Sequence, residues 1–386
     1  MKNTILIAGG GIGGLAAALA CSRVGASVAL FERAAEFSEV GAGIQLGPNV
    51  MKVLHAWGLQ SALAAVIALP QRLQVCSASS AAELGVLRLG DVMLARYGSP
   101  YATIHRADLH ALLLAALKDS DVQLTLDSEV SGFVQDSDGI MLHLNAGRQV
   151  RGDVLVGADG LSSRVRQQLL GDGAPVVTGH LAYRALVAQS SLPERLRSQQ
   201  ITVWLGSQMH VVQYPVRGGE WLNVVVIVEG HRHDAADDWD HSANAADLRH
   251  HLADACSPLQ ELVQAIDSWS LWSLRVRPPM RGPHEQAQGR VALLGDAAHP
   301  MLPYLAQGAG MAIEDAFELS RSLASASTAG LSQYAAMRWQ RNARVQARAL
   351  RNGRIFHASG PLRWGRDAAM KLLGESLLDL PWLYAA

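Results

Sequence analysis

TILIAGGGIGGLAAALACSRVGASVALFER, residues 4–33, is the stretch that decides the fold. Residues 4–8 form a short continuous apolar run ending in glycines, the pattern of a strand buried on both faces of a parallel sheet. A helix is predicted from about Gly13 through LAAALACSRVG, and SVALFER predicts a second buried strand. Gly9, Gly11 and Gly14 carry GxGxxG spacing at the strand-to-helix turn, where glycines permit a tight bend, close approach of a pyrophosphate and tight helix packing. Ile12 and Gly13 open the helix, whose free N–H groups and positive dipole end favour phosphate. Glu32, with Arg33 beside it, ends the second strand, where a carboxylate accepts hydrogen bonds from a ribose diol. GxGxxG alone is weak; strand, helix, strand and acid in order make it a dinucleotide site.

Working outward, the chain of 386 residues is 49% hydrophobic, enough to bury a large core. With 33 Lys+Arg against 34 Asp+Glu there is no basic field for nucleic acid, which is excluded as a partner. Cys21, Cys76 and Cys256 stand far apart, without the spacing of a zinc site or a disulfide framework, which suits a reducing cytoplasm. The N-terminal apolar run is cut by glycines and lacks a basic leader, so no signal peptide is expected, and no charge-free stretch has transmembrane length. Residues 101–118 predict a loop entering an amphipathic helix with Asp108 as its cap, and 120–160 alternate like strands around a DSDG turn at 136–139. Between 176 and 275 the alternation of ITVWLGSQMHVVQYPV and WLNVVVIV predicts an inserted antiparallel sheet. HRHDAADDWDH at 231–241 has no ligand spacing and reads as a solvated loop, so no metal is expected.

Two further stretches name the dinucleotide. GADGLSSRVR at 157–166 and LLGDAAHPMLPYLAQGAGMAIEDA at 293–316 resemble the downstream fingerprints of the class A flavoprotein aromatic hydroxylases, and with the N-terminal motif they make a specific trio. GAGIQLGPN at 41–49, HRADL at 105–109, YR at 183–184 and RNGRIFH at 351–357 extend the resemblance nearly end to end. It implies non-covalent FAD, NADH or NADPH as hydride donor, and O2. It places Asp296 on the ribityl chain, and Gln45, Arg106, Asp159, Gly160, Ser163 and Arg166 around the flavin, the 159–166 segment also serving NAD(P)H. Gln307 to Met311, that is Gly308, Ala309, Gly310 and Met311 after the glutamine, precede a helix whose N–H groups would face the electron-rich edge of a reduced flavin.

The fold so implied is α/β: a Rossmann-like FAD-binding domain with a parallel sheet (1–75, 101–175 and 276–340), an inserted, mainly antiparallel β-sheet substrate domain (76–100 and 176–275) and a C-terminal helical segment (341–386). The activity implied is hydroxylation of a small aromatic acid or phenol, of hydroxybenzoate or salicylate type, through a C4a-hydroperoxyflavin. HVVQYPVRGGEWLN at 210–223 is most similar to enzymes of that kind. A phenol attacks best as its phenolate, so a base is required. His210 and Tyr214, at i and i+4 on a predicted strand, share a face and are the catalytic candidates; a packed interior histidine is the alternative. Tyr304 and Pro303 are candidates for the substrate pocket, and Arg184 for a bidentate hold on a carboxylate. Two departures stand out: LRVRPP at 274–279 lacks the Asp-Arg pair common in relatives, and Gly47 stands where the hydroxynicotinate enzyme has a histidine. An N-heteroaromatic acid substrate and a non-catalytic flavin-binding redox protein remain the alternatives. A homodimer is compatible with the sequence.

Overall fold

The structure is a computed structural model that describes residues 3–37, 41–230, 242–243, 245–324 and 327–385. The 231–241 segment read as a solvated loop lies outside the described residues. The chain forms two compact units, one from residues 1–40, 107–176 and 276–350 and the other from 41–106, 177–275 and 351–386.

In the first unit, Thr4–Ala8, Ser27–Phe31, Val154–Gly157, Val291–Leu293 and Gln123–Thr125 are parallel strands of one six-stranded sheet, closed at its edge by antiparallel Ala287–Gln288. Thr4–Ala8 lies in the middle, with Ile7 beside Val156 and Leu30, which is why these strands are apolar on both faces. The helices Ile12–Arg23 and Gly308–Leu323 pack against each other. Gly13 permits this: a Cβ there would meet Leu294 Cδ2 at 2.8 Å and the Ala312 Cβ at 3.4 Å. Val130–Gln135, Ile140–Leu144 and Gln149–Gly152 form a separate antiparallel sheet whose first turn is the expected DSDG.

The second unit holds an eight-stranded sheet whose central neighbours are Val176–Ala188, Trp221–Glu229, Met209–Val216 and Ile201–Leu205, all antiparallel. One face is apolar, with Val211, Val224, Val226, Val228 and Trp269 in a single cluster beneath the helices Ala245–His251 and Ser257–Gln264. The opposite face carries Arg184, His210 and Tyr214 together with Val212.

The units differ from the expected division in several places. Residues 41–75 join the second unit because Gly43–Leu46 pairs with Ala102–His105 and Arg72–Ser77 pairs in parallel with Ile201–Leu205. Residues 102–105 are therefore a strand rather than a loop, and Asp108 sits inside the first turn of Arg106–Ala116 rather than capping it. Within 176–275 the two short helices interrupt the sheet that alternation predicted. The long helix Ser327–Phe356 contributes its residues up to Leu350 to the first unit and its last turn to the second.

Candidate cofactor and substrate site

The glycine turn of the first unit is built to be tight. A Cβ on Gly14 would fall 1.9 Å from the Gly9 oxygen, and Gly9 itself has φ +101° with Ala158 O 2.5 Å from where a Cβ would stand. Gly11 caps the Ile12–Arg23 helix without a side chain, leaving the first-turn N–H groups to an anion. Glu32 is oriented by two backbone donors, Gly10 N–H to Oε2 at 2.6 Å and Ala34 N–H to Oε1 at 2.9 Å. Each carboxylate oxygen keeps a lone pair for a diol. Arg33 is exposed.

Asp296 is the one exposed residue in a run that is otherwise buried from Val291 to Pro300, so its carboxylate leaves the core at a tight turn. That turn is held from beneath. Asp315 Oδ2 accepts from Gly295 N–H at 3.2 Å and meets His299 Nε2 at 2.5 Å, while Oδ1 takes Arg338 Nε at 2.7 Å and Asn342 Nδ2 at 3.0 Å. Burial pushes the Asp315 carboxyl up, but His299, Arg338 and Asn342 more than reverse it and hold it well below the usual carboxylate range. This network, His299 apart, escaped the sequence reading because its members lie up to 47 residues apart, between Gly295 and Asn342.

Two residues expected to face the flavin are engaged elsewhere. Asp159 caps the helix Arg164–Leu170, accepting from Ser163 Oγ at 2.5 Å and from the N–H groups of Arg164 at 2.8 Å and Val165 at 3.2 Å. Burial raises its carboxyl, against those hydrogen bonds. Arg166 is buried and clamps Asp172 Oδ2 through Nε at 2.8 Å and Nη2 at 2.6 Å, and its Nη1 binds the carbonyls of Ala297 and Ala298. It holds the backbone next to Asp296 rather than presenting itself to a phosphate. Arg277, the residue without the usual acidic neighbour, takes the other oxygen of the same carboxylate, Asp172 Oδ1, at 3.0 Å. Gly160, at φ +78°, opens the same stretch, with nothing within 4 Å of where its Cβ would be.

Gly308 to Met311 form the first turn of a 16-residue helix, and a Cβ on Gly308 would meet nothing within 4 Å. A helix start with open space before it and N–H groups not used within the helix fits an electron-rich ring edge. Pro303 and Tyr304 lie in the short turn Pro303–Leu305 just before it, Tyr304 buried.

In the second unit, His210, Val212 and Tyr214 share the sheet face opposite the apolar cluster, and Arg184 joins them, since it pairs with Val225 and Val225 with Val212. Four residues of strand separate His210 from Tyr214 by about 13 Å, so the two candidates share a face without touching. His210 is 1% exposed, with Nδ1 2.9 Å from His357 Nε2 and its ring against Phe356. Burial first, and then His357 and His180, push its pKa well below the ordinary value. Tyr214 is pressed on Gly43, where a Cβ would stand 2.4 Å from the ring, and burial raises its hydroxyl's pKa, only partly offset by Arg184. Asn223 Oδ1 takes Gly43 N–H at 2.7 Å and so fixes that strand. Arg184 lies 3.8 Å over the Trp272 ring, its Nε is buried without a hydrogen-bond partner, and burial lowers its pKa to about 10. Gln45 accepts from Tyr101 Oη at 2.8 Å, and Arg106 packs against Gly41. Trp272 and Asn223 were not singled out from sequence, although Asn223 ends the 210–223 stretch that carries the resemblance.

A parallel sheet with a glycine turn and an acid-terminated second strand, joined to a carboxylate turn and an open helix start, defines a flavin-type dinucleotide oxidoreductase. The sequence matches the family described as an FAD binding domain over residues 2–351, and the chain belongs to that family. It is 38% identical over 398 residues to a 3-hydroxybenzoate 6-hydroxylase 1 of Aquipseudomonas alcaligenes, covering 100% of this chain and 98% of the relative. It is 36% identical over 387 residues to a 3-hydroxybenzoate 6-hydroxylase of Polaromonas naphthalenivorans (strain CJ2), covering 98% and 95%. Its fold matches a salicylate hydroxylase substrate complex with a TM-score of 0.84 at 27% identity, over 100% of this chain and 96% of the other. The protein is an enzyme of the FAD-dependent monooxygenase class. Among the described residues no helix is long and apolar enough to cross a membrane.

Proposed function

We propose that the enzyme hydroxylates a small aromatic acid of hydroxybenzoate or salicylate type, with NADH or NADPH as electron donor and O2 as oxidant. When bound, FAD supplies the redox chemistry that activates O2; the protein supplies binding, orientation and proton handling. Gly9, Gly11, Gly14 and Glu32 would hold the ADP half, Asp296 the ribityl chain, and the Gly308 helix start the ring edge. The observation that carries the substrate assignment is Arg184, a guanidinium whose Nε is shielded and has no hydrogen-bond partner, on the same sheet face as Tyr214 and His210. A shielded donor without a partner costs stability unless a ligand completes it, and a guanidinium fits a carboxylate.

The ring is placed at the Tyr214 and Arg184 end of this face, because Val212 packs with Phe356 on the cluster of Val75, Val203 and Leu205. In this reading Tyr214 orients the ring beside Arg184, and His210, bonded to His357 and packed against Phe356, is the interior histidine. The three cysteines carry no disulfide, which suits the cytoplasmic location proposed here.

Arg184→Gln tests the assignment. Loss of a charge-assisted hydrogen bond of about 1.5–3 kcal/mol should raise KM for an aromatic acid roughly 10- to 150-fold, and leave KM for the matching phenol without a carboxylate little changed. An equal rise for both compounds, or for neither, would remove Arg184 from carboxylate recognition.

A further inference from the structure

At the end of the second unit's sheet, away from Arg184 and Tyr214 along the strands, three metal-ligating side chains converge. His180 and Glu229 are directly opposed on neighbouring antiparallel strands, and His357 follows the last turn of the Ser327–Phe356 helix. One ligand atom from each lies within 4.8 Å of the others. The rings of His180 and His357 are 4.9 Å apart, and His357 Nδ1 is 3.4 Å from Glu229 Oε1.

We propose that His180, Glu229 and His357 form a site for a divalent transition-metal ion of zinc type. Two imidazoles and a carboxylate are a donor set such ions favour, with the remaining positions open to water. Tetrahedral coordination at about 2.1 Å needs ligand atoms about 3.4 Å apart, so the cluster must contract by a little over 1 Å. Glu229 and His180 can supply that movement, because the first is exposed and the second only half-buried. His357 is already oriented. Its Nε2 is tied to His210 Nδ1 at 2.9 Å, the outer-shell bond that commonly fixes a ligating ring. Metal binding selects the tautomer in which Nε2–H is donated to His210, so that His357 Nδ1 turns a lone pair toward Glu229 Oε1, 3.4 Å away, and a cation between them bonds to both. Gln208 Nε2 donates to the second Glu229 oxygen at 3.3 Å and steadies the carboxylate.

Calorimetric titration of the FAD-loaded enzyme with Zn2+ should give one equivalent bound at micromolar affinity or tighter, and no binding of Mg2+ or Ca2+. Glu229→Gln and His180→Gln, both at sites with solvent access, should each weaken zinc at least about tenfold while FAD content stays at the level of the parent. A chain carrying His231→Gln, His233→Gln and His241→Gln together should bind zinc like the parent, and zinc-edge anomalous density should sit among the three ligands. Absence of saturable zinc binding, unchanged affinity in Glu229→Gln and His180→Gln, or loss of binding in the triple variant would each overturn the proposal. The outcome is independent of the substrate assignment, because metal binding is read without turnover.

Discussion

Glu32 shows how the fold prepares one side chain for the ribose proposed as its partner. Its carboxylate is oriented by Gly10 and Ala34 N–H groups before any ligand arrives, so a ribose diol meets an acceptor already in place and the ordering cost on binding is small. Glu32→Ala should weaken FAD by about 1.5–3 kcal/mol, or roughly 10- to 150-fold, while holoenzyme that remains loaded keeps its turnover number. Fluorescence titration of the apoprotein with FAD measures this; unchanged affinity would show that Glu32 makes no contact with the ribose. Arg166 gives the opposite lesson at the same scale. The resemblance places it beside the flavin, yet its donors are spent on Asp172 and on the carbonyls of Ala297 and Ala298. Sequence reports that an arginine is present, not which acceptors the fold brings to it.

Among the elements, the carboxylate turn depends on the helix beneath it. Asp315, on Gly308–Leu323, accepts from Gly295 N–H and is balanced by His299, Arg338 and Asn342. Its folded pKa is depressed, so its contribution to stability is complete above the unfolded value of about 3.9 and is lost as pH falls through the lower folded value. Asp315→Asn should cost about 3 kcal/mol at neutral pH, since it removes the buried carboxylate facing His299 and Arg338 Nε while Arg338 keeps Glu314. Thermal denaturation of the variant should also depend less on pH below about 4 than the parent's does. Equal pH dependence in both proteins would show that Asp315 is not the titrating group.

The elements that sequence made legible are those with strong local signals. The strand, glycine turn, helix and second strand of residues 4–33 appear as expected, and so do the turn at 136–139 and the alternating strands around 201–229. What was not legible depends on distant pairing. Gly43–Leu46 is a strand because Ala102–His105 lies beside it, and the partners of residues 72–77 come from residues 201–205. No local period encodes either choice.

For the whole molecule, the same distinction separates cofactor from substrate. The residues proposed to hold FAD in the first unit cluster in three motifs, read from spacing and resemblance. The face proposed for substrate in the second unit is assembled from separate strands, so only the face shared by His210 and Tyr214 was readable, through strand alternation. Arg184 was visible as a candidate, but the buried donor and the Trp272 ring that give it meaning were not. The central claim is that these parts make an aromatic monooxygenase, and product formed per reduced nicotinamide consumed tests it most directly. FAD-loaded enzyme should be assayed with NADH and with NADPH against hydroxybenzoates and salicylate, scoring hydroxylated product and hydrogen peroxide together. At least one ring acid should accelerate nicotinamide oxidation and yield hydroxylated product in near-equal amount. If no ring yields hydroxylated product and every electron pair leaves as peroxide, or if no ring changes the rate at all, the account is contradicted.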